Sequence, residues 1–274
     1  MYTQFYRLNE NPFNVTSDPD FLFPSSTHKE ALEHLIYGIN QRKGFVEITG
    51  EIGSGKTTLC RALINRLDSR TKTSLILNSS LPENQLLEEI LFDFGIAPER
   101  RSKGLFLRRL NEFLLEQLSL GNNTVLIIDE AQNLRLSALE TIRMLSNLET
   151  NKEKLLQIVL VGQPQLHDKL KSSDLIQLRQ RISVRFHIRA LEKDEMRDYV
   201  YHRLSVAGSK GDIVFSPEAI EAIFEYSKGI PRLTNLVCDK ALLYGFVEET
   251  HLIESCMIEK GINEIEGINH FVKN

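Results

Sequence analysis

No stretch of this chain approaches 18 consecutive apolar residues, so the sequence holds no candidate transmembrane helix. Its first ten residues mix polar and aromatic side chains, and we expect no signal peptide there. The three cysteines have no metal-ligand spacing, and their odd number argues against a full disulfide framework. They are Cys60, Cys238 and Cys256.

The chain also lacks an excess of basic charge, since 33 Lys and Arg stand against 37 Asp and Glu. A net charge of −4 gives no overall field that would attract nucleic acid. One local basic patch, over residues 99–109, is typical of a solvated helix face. Internal repeats and low-complexity tracts are absent from the sequence. The remaining composition, 42% hydrophobic and 26% charged over 274 residues, is that of a globular protein with one large domain or a core plus a smaller one.

Residues 50–57 read G-E-I-G-S-G-K-T, the G-x-x-x-x-G-K-T pattern of a phosphate-binding loop. An apolar run at 45–49 predicts a strand before it, and apolar residues at helical spacing follow it. Glycines let backbone N–H groups approach phosphate oxygens, and the helix N-terminus adds partial positive charge. In this pattern Lys56 reaches the β- and γ-phosphates, and the Thr57 hydroxyl ligates Mg²⁺. The predicted nucleotide-binding residues here are Gly50, Glu51, Ile52, Gly53, Ser54, Gly55, Lys56, Thr57 and Thr58.

The rest of the chain alternates apolar strands with helical patterns and then changes character. Further strands are predicted at 73–78, 124–129, 156–162 and 185–188, which implies an α/β fold with a parallel sheet covered on both faces. From residue 192 the pattern predicts helices only, at 193–207, 216–228, 231–249 and 253–263. We therefore predict an α/β nucleotide-binding domain over residues 1–190 and a small helical lid domain over residues 191–274.

Residues 1–25 combine turn-forming residues with aromatic ones. Two interpretations are open for this segment. It is either a strap packed on the core or a hydrophobic collar for an adenine base, with Phe13 as the candidate contact.

Polar residues follow the third and fourth predicted strands. Ligands bind at the carboxyl ends of parallel strands, so Asp129 and Glu130 are expected beside the phosphate-binding loop. We predict that Asp129 holds Mg²⁺ and that Glu130 orients and polarises the attacking water. Gln163 follows the fourth strand directly and is predicted to hydrogen-bond the water or a phosphate oxygen. The alternative for Gln163 is a turn residue before Pro164.

Three arginines are candidates for stabilising phosphoryl charge. Arg179 and Arg181 end a predicted helix before the fifth strand, and arginine supplied by a neighbouring subunit is a known device in phosphoryl transfer. Their alternative is a surface position at a helix C-terminus, which the helix dipole favours. Arg232 stands in the first turn of a lid helix, where its charge is mildly unfavourable, and a role at the γ-phosphate would explain it.

Together these motifs resemble the AAA+ ATPases and, more narrowly, the ExeA/GspA-type secretion ATPases. The resemblance spans roughly residues 1–265 and implies the strand order 5-1-4-3-2. Its matching stretches lie at residues 6–8, 11–13, 28–32, 44–51, 129–134, 160–164, 178–182 and 229–235. The implied roles are Walker A for Lys56 and Thr57, Walker B for Asp129 and Glu130, sensor 1 for Gln163, sensor 2 for Arg232, and arginine finger for Arg181 with Arg179 second.

The resemblance also implies a homo-oligomeric, nucleotide-dependent ring that uses ATP and Mg²⁺ at the inner face of the bacterial membrane. We expect a cytoplasmic protein, peripheral at that membrane, which drives assembly of a secretion, pilus or polysaccharide-export system. Longer members continue into a membrane span and a peptidoglycan-binding module. The sequence reaches Asn274 without either. We therefore expect a short form that works with a separate inner-membrane partner protein.

Three alternatives belong to other classes. An AAA+ DNA-binding regulator of transposition, similar to TnsC or TniB, shares the ATPase core. The net negative charge argues against DNA binding, whereas the basic patch at 99–109 is compatible with it. A steep salt dependence of DNA binding would reveal it. A helicase, suggested by D-E-A-Q at 129–132, lacks room for its second motor domain. A protein that binds nucleotide without hydrolysis is opposed by Glu130 and the arginines.

Overall fold

The computed structural model describes residues 1–97, 102–151 and 153–267. The helices are α1 (Tyr2–Phe5), α2 (Ser26–Asn40), α3 (Lys56–Arg66), α4 (Glu83–Asp93), α5 (Lys103–Ser119), α6 (Leu136–Leu145), α7 (Pro164–Leu170), α8 (Ile176–Arg181), α9 (Lys193–Val206), α10 (Pro217–Ser227), α11 (Pro231–Val247) and α12 (Ser255–Ile265). The strands are β1 (Phe45–Gly50), β2 (Thr71–Ile76), β3 (Asn123–Ile128), β4 (Gln157–Gly162), β5 (Ile182–Ile188), β6 (Val214–Phe215) and β7 (Leu252–Ile253). Short 3-10 helices lie at Pro19–Phe21, Ala131–Asn133 and Ser173–Leu175.

The first five strands form one sheet in the order β2-β3-β4-β1-β5, and each neighbouring pair is parallel. This confirms the predicted parallel sheet and its strand order. Strands β1 and β4 are buried along their whole length, because helices cover both faces of a parallel sheet. The edge strand β5 begins at Ile182 rather than at the predicted 185. Residues 182–188 alternate apolar and polar side chains, as a half-buried strand does, but α8 ends at Arg181 and no turn residue marks the boundary between helix and strand.

The register brings the carboxyl ends of three neighbouring strands to one edge of the sheet. Thr49 of β1 lies opposite Gly162 of β4, and Ile128 of β3 lies opposite Leu160 of β4. The chain therefore enters the loop after β1, the acidic pair after β3 and Gln163 after β4 along the same edge.

Contacts divide the chain into two compact units, and the larger one comprises residues 27–51 and 59–188. Its main core is built on the sheet, where Leu126, Ile128, Ile158 and Leu160 are fully buried. Helices α4, α5 and α6 add further buried side chains, among them Leu86, Ile90, Phe106, Leu110, Leu139 and Ile142. Each such side chain stabilises the fold by roughly 1.5–3 kcal/mol relative to an exposed one.

The second compact unit comprises residues 1–26, 52–58 and 189–267. Helices α9 to α12 build most of it, and β6 pairs in parallel with β7. The prediction of helices only was wrong at these two strands. Each has two residues, which is too short to show an alternating pattern. The division into domains 1–190 and 191–274 stays a prediction. Among the described residues, no helix has both the length and the apolar character needed to cross a membrane.

The N-terminal segment packs against the helices of this second unit. Asn9 donates its N–H to the carbonyl of Ala207 at 2.8 Å. Arg203 of α9, only 6% exposed, donates to the carbonyls of Pro12 and Asn14 at 2.5 and 2.9 Å. Its guanidinium lies 4.5 Å from the centroid of the Phe21 ring. One buried cation thus satisfies two loop carbonyls and fixes the path of the strap.

Replacing Arg203 with Met should lower the free energy of unfolding by about 2–4 kcal/mol, because two hydrogen bonds from a charged donor are lost and two carbonyls stay desolvated. Urea denaturation measures this change. Arg197→Met on the exposed side of the same helix is the matched control and should change stability by under ~0.5 kcal/mol. Equal effects of the two substitutions would contradict a structural role for the Arg203 hydrogen bonds.

Candidate functional site

The loop between β1 and α3 depends on glycine at two positions. Gly53 and Gly55 have φ angles of 80° and 91°, in the left-handed region that L side chains rarely adopt. A Cβ on Gly53 would lie 2.6 Å from the Cβ of Arg232, so the position has no room for a side chain. Lys56, the first residue of α3, is 5% exposed. The loop therefore has the backbone that the phosphate-binding pattern requires.

Arg232 lies beside this loop within the same compact unit. Pro231 begins α11 and fixes the entry of the helix. The backbone N–H of Arg232 donates to the carbonyl of Gly53 at 3.2 Å, and its side chain is exposed. The structure thus joins two predicted nucleotide-binding residues that lie far apart in the chain.

The acidic pair after β3 has a strained but well-supported backbone. Asp129 is 2% exposed, and its Oδ1 accepts the N–H of Glu130 at 2.8 Å. Glu130 has a φ of 51°, a left-handed conformation that costs on the order of 1–3 kcal/mol for a residue with a side chain. The Ser79 hydroxyl donates to the Glu130 carbonyl at 2.6 Å. Groups on both sides of Glu130 therefore hold this conformation.

Two amide side chains meet the carboxylate of Glu130. Gln163 donates from its Nε2 to Glu130 Oε2 at 3.1 Å, so the residue after β4 lies at the acid after β3. Gln132 donates from its Nε2 to the same oxygen, and its Oε1 accepts the backbone N–H of Gln163 at 3.1 Å. Sequence reasoning gave Gln132 no role, because nothing in its local pattern shows that it reaches across to the end of β4.

Lys169 supports the turn that carries Gln132. From α7 its ammonium donates to the carbonyl of Gln132 at 2.9 Å and to that of Leu134. Burial lowers the pKa of Lys169 below its ordinary value. The 3-10 turn at Ala131–Asn133 is thus tied to the helix that follows β4.

The two candidate finger arginines have different surroundings. Arg181 donates from Nη1 to the carbonyl of Arg143 at 3.2 Å and to the Ser146 hydroxyl, at the C-terminal end of α6. The Arg179 side chain is exposed. A helix C-terminus stabilises a nearby cation, so Arg181 has a local partner that sequence reasoning did not foresee.

The last turn of α8 is also held by the sheet. Arg185 of β5 donates from Nη2 to the Arg179 carbonyl at 2.6 Å and from Nε to Glu47 Oε2 at 3.1 Å. Glu47 lies in β1 and is 2% exposed, and His167 of α7 contacts its other oxygen at 3.1 Å. This buried carboxylate fixes β5 and, through it, the helix that carries both arginines.

The other predicted site residues differ in their exposure to solvent. Phe13 is 2% exposed and packs edge-on against Phe215 in the core of its unit, with ring centroids 6.4 Å apart. Ile52 is 60% exposed and Glu51 is also exposed, whereas Thr57 and Thr58 are half-buried. The functional roles of all these residues stay predictions. In the basic patch, Arg108 and Arg109 are described, while residues 99–101 lie outside the described residues.

Comparison with known proteins finds two likenesses in sequence. A family model described as an AAA domain matches residues 39–170. General secretion pathway protein A of Aeromonas hydrophila is 43% identical over 270 residues, which is 98% of this chain and 49% of that protein. The chain thus spans about half the length of the curated relative that it matches.

Solved structures with a similar fold are more distant in sequence. The ORC2 protein of Aeropyrum pernix, in ADPNP and ADP complexes, has a TM-score of 0.71 at 17% identity, covering 95% of this chain and 72% of its own. Cdc6p of Pyrobaculum aerophilum has a TM-score of 0.66 at 20% identity, with coverages of 88% and 67%. The RuvB Holliday junction branch migration motor of Thermotoga maritima has a TM-score of 0.58 at 19% identity, with coverages of 88% and 69%.

At these identities the likeness to the solved structures concerns the fold alone. The identity to the secretion protein extends over nearly the whole chain and so includes the second compact unit. Residues 39–170 therefore match an AAA domain, and nearly the whole chain is similar to a secretion protein of the ExeA/GspA type.

Proposed function

We propose that this chain binds ATP with Mg²⁺ and hydrolyses it, with Glu130 as the group that activates water. The observation that carries the proposal is the carboxylate of Glu130 held by Gln163, which joins an acid after β3 to an amide after β4. Both residues occupy the sheet edge at which β1 leads into the phosphate-binding loop. Ligands of open parallel sheets bind at this edge.

The residues present fit a nucleoside triphosphate and a hard cation such as Mg²⁺. The left-handed glycines and the start of α3 at Lys56 provide backbone donors and a cation for phosphate oxygens. The Thr57 hydroxyl and the Asp129 carboxylate are oxygen donors, which Mg²⁺ prefers. Bound Mg²⁺ would neutralise charge that develops on the β- and γ-phosphate oxygens.

Within this proposal each side chain has a separate role. Lys56 binds the β- and γ-phosphates, and Glu130 accepts a proton from the attacking water. Gln163 hydrogen-bonds the water or a phosphate oxygen while it holds Glu130. Arg232 approaches the γ-phosphate from the helix that contacts Gly53, and Arg181 or Arg179 serves a neighbouring subunit.

The likeness to general secretion pathway protein A also supports a proposal for the role of this chain in the cell. The chain is proposed to act as a homo-oligomer in the bacterial cytoplasm, at the inner membrane, with a membrane partner protein of a secretion, pilus or polysaccharide-export apparatus. The identity of 43% supports this reading over the DNA-binding alternative. Arg108 and Arg109 of the basic patch both pair with Glu112, which reduces the positive charge available to DNA phosphates.

Replacing Lys56 with Ala should weaken ATP binding by roughly 100-fold or more, because it removes the cation that meets the β- and γ-phosphates. Calorimetric titration with ATP and Mg²⁺ measures the affinity. Lys72→Ala in β2 is the control and should bind as the wild type does. An unchanged affinity of the Lys56 variant would refute the proposed nucleotide site.

A further inference from the structure

Gln132 occupies the centre of the hydrogen-bonded group that surrounds Glu130. We infer that Gln132 is a positioning residue for ATP hydrolysis: it holds the Glu130 carboxylate in the orientation that activates water. This inference rests on the proposed function, since it assumes that Glu130 is the base.

The chemistry of the two partners fixes the orientation of the Gln132 amide. A carboxylate oxygen only accepts, so the group that meets Glu130 Oε2 must be the NH₂ of the amide. A backbone N–H only donates, so the group 3.1 Å from the Gln163 nitrogen must be the amide oxygen. Glutamine alone among side chains of this size and shape presents both functions, and glutamate in its place would supply only acceptors.

Both amides meet the same oxygen of Glu130. Gln132 and Gln163 donate to Oε2, and in the described ranges of the chain no protein group donates to Oε1. The carboxylate is therefore fixed in rotation while one oxygen is left to accept a proton. The geometry thus favours a role that promotes hydrolysis.

The surroundings of Gln132 are built to keep it in place. The Lys169 ammonium holds its backbone carbonyl at 2.9 Å. A Cβ on Gly162 would lie only 2.6 Å from Gln132 Oε1, so the last residue of β4 must be small for the amide to fit. The φ of Gly162 is not in the left-handed region, so its backbone conformation does not demand glycine. Glycine is needed here because of this contact and because the Cδ2 of Leu166 would lie 3.0 Å from a Cβ.

Steady-state kinetics of three variants test the inference. Gln132→Ala removes both hydrogen bonds and should lower kcat about 10–100-fold, while KM and ATP affinity change by less than about threefold. Gln132→Glu keeps the size and the acceptor for Gln163 but places an oxygen against Glu130, and it should lose kcat similarly. Gly162→Ala displaces Gln132 without altering it and should change kcat in the same direction. Gln165→Ala, exposed on α7, is the matched control and should leave both parameters unchanged.

Analogue binding separates positioning from a merely structural role. Affinity for ADP with fluoroaluminate, a transition-state analogue, should fall with kcat, while affinity for ADP with fluoroberyllate, a ground-state analogue, should stay constant. In a Glu130→Gln background, Gln132→Ala should cause no further loss of kcat. An equal loss of affinity for both analogues would overturn the inference. So would an additive loss of kcat in the Glu130→Gln background.

The outcomes also separate this inference from the proposed function. If Glu130→Gln hydrolyses ATP at the wild-type rate, the assignment of the base fails. If Glu130→Gln is inactive while Gln132→Ala keeps or exceeds the wild-type kcat, only the role of Gln132 is overturned. Should Gln132→Ala lose its cooperative thermal transition, Gln132→Glu and Gly162→Ala decide by the same measurements.

Discussion

Glu130→Gln is expected to bind ATP as tightly as the wild type and to lose about 10²–10⁴-fold in turnover. The amide keeps the size of the carboxylate but cannot accept a proton from water at neutral pH. Its carbonyl oxygen can replace Oε2 and accept from both Gln132 and Gln163, so the surrounding hydrogen bonds survive. The loss should therefore appear in kcat and not in affinity.

Paired assays of ATP affinity and of phosphate release check this result. Glu259→Gln on the exposed face of α12 carries the same chemical change and should behave as the wild type does. Turnover of Glu130→Gln at the wild-type rate would show that another group activates the water. Loss of ATP binding together with turnover would instead assign Glu130 to the binding of nucleotide.

Arg181→Ala is expected to bind ATP nearly normally and to lose about 10³–10⁵-fold in turnover, if Arg181 completes the site of a neighbouring subunit. A guanidinium stabilises charge on the equatorial phosphate oxygens, and this interaction exists only in the assembled oligomer. ATPase activity per protomer should consequently rise with protein concentration in the wild type. In Arg181→Ala that rise should be absent.

Mixing variants tests whether the arginine acts in trans. A mixture of Arg181→Ala and Glu130→Gln should regain turnover, because a mixed interface can pair an intact Glu130 with an intact Arg181 from the other chain. Activity that does not depend on concentration, with no recovery in the mixture, would place Arg181 in cis or assign it a structural role. In that structural role, Arg181 would hold the end of α6 through its hydrogen bonds to Arg143 and Ser146.

Two further substitutions resolve the ambiguity between the neighbouring arginines. Ser146→Ala removes one anchor but keeps the guanidinium, so it should retain most activity if Arg181 acts on phosphate. Arg179→Ala, taken through the same mixing assay, tests the exposed alternative. The two arginines lie two positions apart on α8 and face different directions, so one of them is expected to carry the effect.

Local patterns were sufficient where the structure is determined by neighbours in the chain. The G-x-x-x-x-G-K-T stretch predicts a turn with left-handed glycines, and Gly53 and Gly55 have that conformation. Central strands are rich in apolar residues because both faces are covered, and β3 is apolar from Val125 to Ile128. Ser216 caps α10 and accepts the N–H of Ala219, as a Ser-Pro helix start indicates.

Periodicity failed where an element is very short or where a helix runs directly into a strand. The strands β6 and β7 have two residues each, and pairing partners 38 positions apart, Val214 and Leu252, define them. Their strand character comes from hydrogen bonds between distant segments, which a window of sequence does not contain. The predicted start of β5 was wrong for another reason: α8 runs directly into the strand, so no turn separates the two patterns.

The sequence by itself determined the α/β fold, with the strand order that its family resemblance implies, and the residues that are candidates for the site. Only the tertiary structure decided which side chains meet: Gln132 with Glu130 and Gln163, Arg203 with the N-terminal strap, and Arg181 with the end of α6. The physical reason is the range of the interactions. Turns, caps and buried strands depend on nearby residues, whereas these hydrogen bonds depend on the register of the sheet and on helices that bring distant residues within about 3 Å.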